Sequence, residues 1–169
     1  ITVRDGTLTI TMSEDGSPTA WSAPSLVATD LDVSDVLTWS LAALPSHGTV
    51  VLSGTGASPT TFTYAPDGNF SGSDSFVVQV SDGTSVDAVT VNVNVEAVND
   101  APAFVQGSSV FVTMSEGGTP VAWSTPTLTF VDAEGDTLNW SSPTEPSNGT
   151  SFFEVNGSTL TLNYTPDAE

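Results

Sequence analysis

Phe76-Val77-Val78-Gln79-Val80-Ser81-Asp82-Gly83-Thr84-Ser85-Val86-Asp87-Ala88-Val89-Thr90-Val91-Asn92-Val93-Asn94-Val95 decides the fold. Phe76, Val78 and Val80 alternate with Val77 and Gln79, and Val89, Val91, Val93 and Val95 alternate with Thr90, Asn92 and Asn94. Successive side chains of a strand point to opposite faces, so this period of two puts one face in a core and the other in water. The β-branched residues suit strands, and Ser81–Thr84 supplies the turn. Outward from this stretch the pattern recurs: Leu8, Ile10 and Met12 alternate with Thr7, Thr9 and Thr11. Strands are expected near 7–12, 20–28, 36–42, 49–53, 60–65, 75–81 and 86–96, separated by Gly, Pro, Asp and Ser clusters. No stretch of ten or more residues carries a 3.6-residue apolar stripe. Seven short strands at this spacing predict an all-β, Greek-key β-sandwich.

The chain is also a repeat. Thr11-Met12-Ser13-Glu14 returns as Thr113-Met114-Ser115-Glu116, and Ala20-Trp21-Ser22 as Ala122-Trp123-Ser124, both 102 residues on. Leu37-Thr38-Trp39-Ser40 matches Leu138-Asn139-Trp140-Ser141, and Gly48-Thr49 matches Gly149-Thr150, at 101. Tyr64-Ala65-Pro66-Asp67 matches Tyr164-Thr165-Pro166-Asp167 at 100, so single-residue indels fall between the periodic segments, where loops tolerate them. The expected organisation is a first sandwich over 1–98, a linker over 99–102, and a second copy over 103–169 with no counterpart of Gly68–Val98. That second copy is expected to expose apolar faces, including those of Leu160, Leu162 and Tyr164.

Of 169 residues, one is Lys or Arg (Arg4) and 20 are Asp or Glu, a formal net charge of −19. Nothing positive is available to displace phosphate counterions, which excludes nucleic acid as a partner, and docking on an anionic membrane is equally disfavoured. No apolar run approaches the roughly 18 residues of a membrane-spanning helix, so no membrane insertion is expected. Cysteine is absent, which removes disulfides, thiolate metal sites and cysteine nucleophiles together. Ser (23) and Thr (25) are abundant enough to suggest disorder, but the regular alternation argues against it.

The acids cluster at expected strand ends. Asp30, Asp32 and Asp35 share one loop, and Asp132, Glu134 and Asp136 share its counterpart. Like charges this close need solvent or a cation, and Ca²⁺ takes six to eight hard oxygen ligands from flexible loops. A merely solvated acidic loop accounts for the same spacing. An EF-hand does not, because the bidentate Glu at position 12 and the flanking helices are lacking.

Ser13-Glu14-Asp15-Gly16-Ser17-Pro18, Ala28-Thr29-Asp30-Leu31-Asp32 and Leu37-Thr38-Trp39-Ser40 together resemble the opening half of a cadherin repeat. Val78-Gln79-Val80-Ser81-Asp82-Gly83 through Val95, with Val98-Asn99-Asp100-Ala101-Pro102, resembles its closing strands and linker. Pro45-Ser46-His47-Gly48-Thr49-Val50, Phe62-Thr63-Tyr64-Ala65-Pro66 and Asn69-Phe70-Ser71-Gly72-Ser73-Asp74-Ser75-Phe76 are similar to the bacterial cadherin-like tandem repeats of large secreted adhesins and surface proteins. The resemblance implies immunoglobulin/cadherin-like sandwiches in tandem, with calcium at the junction between units. Its implied ligands are Glu14, Asn99, Asp100, Asp132 and Glu134, with Asp67 as an addition, while Asp30, Asp32 and Asp82 would face a preceding junction. The linker is shorter in acids than that of animal cadherins, and Glu134 stands where Asp is usual, so fewer or weaker calcium sites are implied.

Other residues point to no chemistry. His47 sits in a turn and its counterpart is Asn148, so it reads as a turn residue rather than a catalyst. The acid pairs lie in repeated loops of a small sandwich, which does not suit a glycosidase. Trp21 and Trp123 read as packing residues, with a sugar-stacking platform as the alternative. The expected function is therefore not enzymatic. It is a calcium-stiffened extracellular spacer of a large secreted or cell-surface adhesin, whose partners are neighbouring repeats. The alternatives are a carbohydrate-binding module for cell-surface glycans, or a filament subunit in which other copies donate strands.

Overall fold

A computed structural model describes residues 2–3, 7–115, 117–119, 121–141 and 144–168, so Arg4 and Glu116 lie outside the described residues. The chain divides into two compact units, Ile1–Val98 and Asn99–Glu169. No helix occurs among the described residues. Unit 1 runs β1 (Thr2–Val3), β2 (Leu8–Ser13), β3 (Ala28–Thr29), β4 (Thr38–Ala43), β5 (Gly48–Ser53), β6 (Thr61–Pro66), β7 (Gly72–Ser81) and β8 (Val86–Glu96). Unit 2 runs β9 (Ala103–Phe104), β10 (Thr127–Val131), β11 (Gly149–Asn156) and β12 (Thr159–Pro166).

The alternation that opens the sequence becomes the central hairpin of unit 1. β7 and β8 pair antiparallel from Gly72↔Val95 to Ser81↔Val86. They sit in the middle of a sheet ordered β2-β8-β7-β4. β2 runs parallel to β8, with Leu8 opposite Val91 and Met12 opposite Val95. β4 runs antiparallel to β7, with Trp39 opposite Val80, and a register shift falls between Leu41 and Ala43. The β5–β6 hairpin forms the facing layer, and it presents Phe62 and Tyr64 to Phe76 at ring separations of 6.0 and 5.8 Å. Fourteen buried apolar residues make the core, and seven of them (Phe76, Val78, Val80, Val89, Val91, Val93 and Val95) come from β7 and β8. At about 1.5–3 kcal/mol per buried large side chain, this one hairpin supplies much of the unit's cohesion.

The strand expected over 20–28 is realised only at its end, where Ala28–Thr29 pairs with β1. Pro24 has no N–H to give to a ladder, and the segment before Ala28 runs outside the sheets while still burying Leu26.

In unit 2 the hairpin β11–β12 repeats β5–β6, with Gly149↔Pro166 matching Gly48↔Pro66, and the sheet order is β11-β12-β10-β9. Leu160, expected to be exposed, is instead buried. It lies opposite both Val155 and Leu128, with a strand on each side to cover it. Leu162 and Tyr164 are half-buried.

Candidate functional site: the acidic loops and the linker

At one end of unit 1, Asp30 Oδ1 accepts the Asp32 N–H at 2.9 Å, and the Asp32 carbonyl accepts the Asp35 N–H at 3.0 Å. Leu31 and Val33 cannot turn inward in so tight a loop and stand almost fully exposed. The turn after β7 brings Asp82 to the same end. Its Oδ1 accepts the Ser85 and Thr84 N–H groups at 2.6 and 2.7 Å, and its carboxylate meets that of Asp30. The Ser85 and Thr84 hydrogen bonds hold the Asp82 carboxyl below its ordinary range, so the anion is favoured there. Asp32 is exposed.

At the other end, Glu14 is buried beneath the exit of β8. Its own N–H donates to the Glu96 carbonyl at 3.0 Å, and its Oε1 accepts the Val98 N–H at 2.7 Å. Asp67 is exposed, with its N–H donating to the His47 carbonyl at 2.9 Å.

Unit 2 repeats the device on its own side. Glu134 Oε2 accepts the Asp100 N–H at 2.9 Å, and Asp132 Oδ1 accepts the Asp136 N–H at 2.8 Å. The Asn99 side-chain amide donates to the Asp100 carbonyl at 3.0 Å. Much of the acidic pattern therefore holds backbone turns and the linker. The donors are hard oxygens, which suits Ca²⁺ chemically. Among the described residues, however, no group of three or more His, Asp or Glu side chains is placed to hold a metal ion. An ion at the Asp30 end of unit 1 would draw on the paired Asp30 and Asp82 carboxylates, with backbone carbonyl oxygens completing the set.

The best-built polar site is one the sequence reading passed over. Asp74 is buried at the start of β7, and four donors converge on it. Its Oδ1 accepts the Ser46 and Ser75 N–H groups at 2.9 and 2.8 Å, and its Oδ2 accepts the His47 N–H at 3.0 Å and the Tyr64 hydroxyl at 2.9 Å. Burial pushes the Asp74 carboxyl up, but the bonds from Ser46, Ser75, Tyr64 and His47 outweigh it and leave the group below its ordinary value. Burial, then the bond to Asp74, pushes the Tyr64 hydroxyl well above its ordinary value. The pairing of Asp74 with Tyr64 through a Gly-rich turn was the available signal. His47 acts through its backbone, while its ring stacks on Phe70 at 4.3 Å. Gly48 is required beside it, because a Cβ there would lie 2.6 Å from the Ala65 carbonyl oxygen and 2.8 Å from the Tyr64 hydroxyl. Trp21 packs against Phe62 and Tyr64 at 5.8 and 5.6 Å, and its Nε1 donates to the Phe62 carbonyl at 3.4 Å, as a packing residue should.

A two-layer all-β sandwich with this strand order defines an immunoglobulin-like repeat. The signature of the bacterial Ig domain family matches residues 1–94, and the chain belongs to that family. Domains of this family are typically non-enzymatic and extracellular or surface-located. The chain is similar to the protocadherin gammaB7 EC3-6 cis-dimer structure at 13% identity and a TM-score of 0.42, over 99% of this chain and 39% of that one. It is also similar to an endo-fucoidan hydrolase from glycoside hydrolase family 107 at 19% identity and a TM-score of 0.39, over 96% of this chain and 23% of that one. No curated protein matches it.

Proposed function

We propose that the chain is a spacer segment of a large secreted or cell-surface adhesin, in which tandem sandwiches are held in line by calcium at their acidic ends. One observation carries this reading. Two copies of one sandwich-forming sequence are joined through a four-residue linker, 99–102, and a glutamate of each unit holds the backbone at or beside it, Glu14 at Val98, the residue before the linker, and Glu134 at Asp100 within it. A chain with a net charge of −19 repels itself, and cations at its ends relieve that repulsion where the linker would otherwise swing. Glu14, Asn99, Asp100, Asp132 and Glu134 would serve the junction, Asp67 lies at its margin, and Asp30, Asp32 and Asp82 would serve the opposite end of unit 1.

Calorimetric titration with Ca²⁺, with Mg²⁺ and matched ionic strength as controls, tests the reading. An ion that binds only the folded form at a hundred times its Kd stabilises it by about 2.7 kcal/mol. For a domain of this size that raises melting by at least about 10 °C. Small-angle scattering should show a longer maximum dimension with Ca²⁺ than with chelator, at unchanged far-UV dichroism. A flat calorimetric trace with identical melting in chelator would end the calcium reading. The spacer reading would then rest on packing alone.

A further inference from the structure

We infer that Asn156 is a site of spontaneous covalent modification: the Gly157 nitrogen closes a succinimide on the Asn156 side chain, water reopens it to aspartate and isoaspartate, and the isoaspartate unpairs the tip of the β11–β12 hairpin. This chemistry is independent of any spacer role. It needs an Asn side-chain amide beside a backbone N–H that can reach it, and glycine is the favoured neighbour because it has no Cβ to block the approach. The sequence holds two such pairs, Asn148-Gly149 and Asn156-Gly157. Both asparagines are exposed, so access to water does not separate them. Asp15-Gly16, Asp67-Gly68 and Asp82-Gly83 are poorer substrates, since a carboxylate ionised at neutral pH resists attack.

The backbone does separate the two asparagines. The Asn148 carbonyl accepts the Tyr164 hydroxyl at 2.7 Å and the Asp167 N–H at 3.1 Å, and together these bonds fix the plane of the 148–149 peptide. Gly149 opens β11 opposite Pro166, and the place its Cβ would take lies 2.6 Å from the Tyr164 hydroxyl. Its nitrogen cannot turn toward the Asn148 side chain without breaking those bonds. Asn156 instead ends β11 and faces Thr159 across a two-residue loop, Gly157-Ser158, with Gly157 at φ +58°. Nothing lies within 4 Å of the place a Gly157 Cβ would take, and among the described residues nothing accepts the Gly157 N–H. The last pair of a ladder is also the first to fray.

The atoms balance with water alone as co-reactant. Base removes the Gly157 amide proton, and the nitrogen, already held beside its target, attacks Asn156 Cγ. The N–Cγ bond forms, the Cγ–Nδ2 bond breaks, and the amide leaves as ammonia with a proton from solvent. Water then adds to either imide carbonyl. Opening at Cγ leaves aspartate in an unchanged backbone, and opening at the main-chain carbonyl leaves isoaspartate, with the chain running through Cβ and Cγ. Nothing is oxidised or reduced. The register of a two-residue hairpin is set by its loop, so an added backbone carbon opens the nearest pairs first, Asn156↔Thr159 and Val155↔Leu160. Leu160 is buried, and the second of those pairs holds it in place.

The test incubates the full chain in mildly alkaline buffer, with and without urea, and maps conversion by mass spectrometry after cleavage at Glu154, which separates the two pairs. In urea both asparagines should convert at similar rates, because both precede glycine. In buffer Asn156 should keep a rate close to its rate in urea, while Asn148 should be at least about tenfold slower, since its segment must first open. Electron-transfer fragmentation should place isoaspartate at position 156. Aged chains should exchange amide hydrogens faster at 155–160 with β5–β6 of unit 1 unchanged, and an Asn156→Gln chain aged alike should show no such gain. Equal rates for the two asparagines in buffer, or conversion of Asn156 only in urea, would overturn the site. Unchanged exchange at 155–160 in chains carrying isoaspartate would overturn its effect on the hairpin.

Discussion

Replacing Asp74 by Ala removes one carboxylate and strands four donors: the Ser46, His47 and Ser75 N–H groups and the Tyr64 hydroxyl. The backbone donors are partly open to water, which replaces the lost acceptor at small cost, but the bond to Tyr64 is fully buried. A buried donor left without an acceptor costs about 1–3 kcal/mol, and bonds to a charged acceptor are worth about 1.5–3 kcal/mol. The expected loss is about 3 kcal/mol, a large share of the roughly 5–15 kcal/mol of a small domain. In a unit of this size that lowers melting by about 12–24 °C. Asp74→Asn should cost less, about 2 kcal/mol, because one carbonyl oxygen still accepts while its NH₂ opposes the remaining donors. The pH dependence separates charge from shape. The folded-state pKa of Asp74 is lowered, so its contribution is complete above the ordinary value of 3.8 and drains away as pH falls through the lower folded value. The gap between wild type and Asp74→Asn should therefore be widest near neutrality and close in strong acid. Urea denaturation of the full chain, read on core valine methyl signals between pH 7 and pH 2, measures both. A loss below about 1 kcal/mol for the alanine variant, or a gap independent of pH, would refute the account of Asp74 as an ionised structural hub.

Other outcomes follow from the same structure. Gly48→Ala should destabilise unit 1 by about 2 kcal/mol or more in the same urea experiment, because its methyl has no room between the Ala65 carbonyl and the Tyr64 hydroxyl. Stability should fall as pH rises beyond the ordinary tyrosine value of 10.0, because the raised Tyr64 pKa favours the neutral folded form, and Tyr64→Phe should weaken that alkaline dependence. Phe76→Ala, at a fully buried position, should cost about 3–5 kcal/mol by thermal melting, whereas truncating exposed Leu31 should change little. Glu14→Gln weakens the Glu14–Val98 bond without a cavity and should speed amide exchange at Val98 while leaving the melting of unit 1 within about 1 kcal/mol.

The hairpin of unit 1 was legible in the sequence because its signal is local. Period two, β-branched residues and an Asp-Gly turn all lie within one stretch, and every inward residue it marks is buried. The segment 20–28 misled for the opposite reason. Its apolar residues do reach the core, but a strand also needs a neighbour for its backbone, and composition does not report that. The parallel pairing of β2 with β8 was likewise hidden, since it joins residues some 80 positions apart with no short-range mark.

The polar residues divide along the same line. The acidic loops stood out because they are dense in charge, yet density does not say what a carboxylate faces. In the structure Asp30, Asp82, Glu14 and Glu134 all accept backbone N–H groups, work that neutral acceptors could also do. Asp74 is a lone acid beside serines and carries no such mark, yet four hydrogen-bond donors converge on it. Its importance arises from convergence: a turn from before β5, a tyrosine from β6 and the first residues of β7 meet only after folding. The repeat offers the comparison that sequence alone lacked. Tyr164 and Gly149 return in unit 2, where a Cβ at Gly149 would again lie against the tyrosine hydroxyl, at 2.6 Å. The Asp–Tyr–Gly constellation therefore couples the β7–β8 hairpin of unit 1 to the rest of its sandwich.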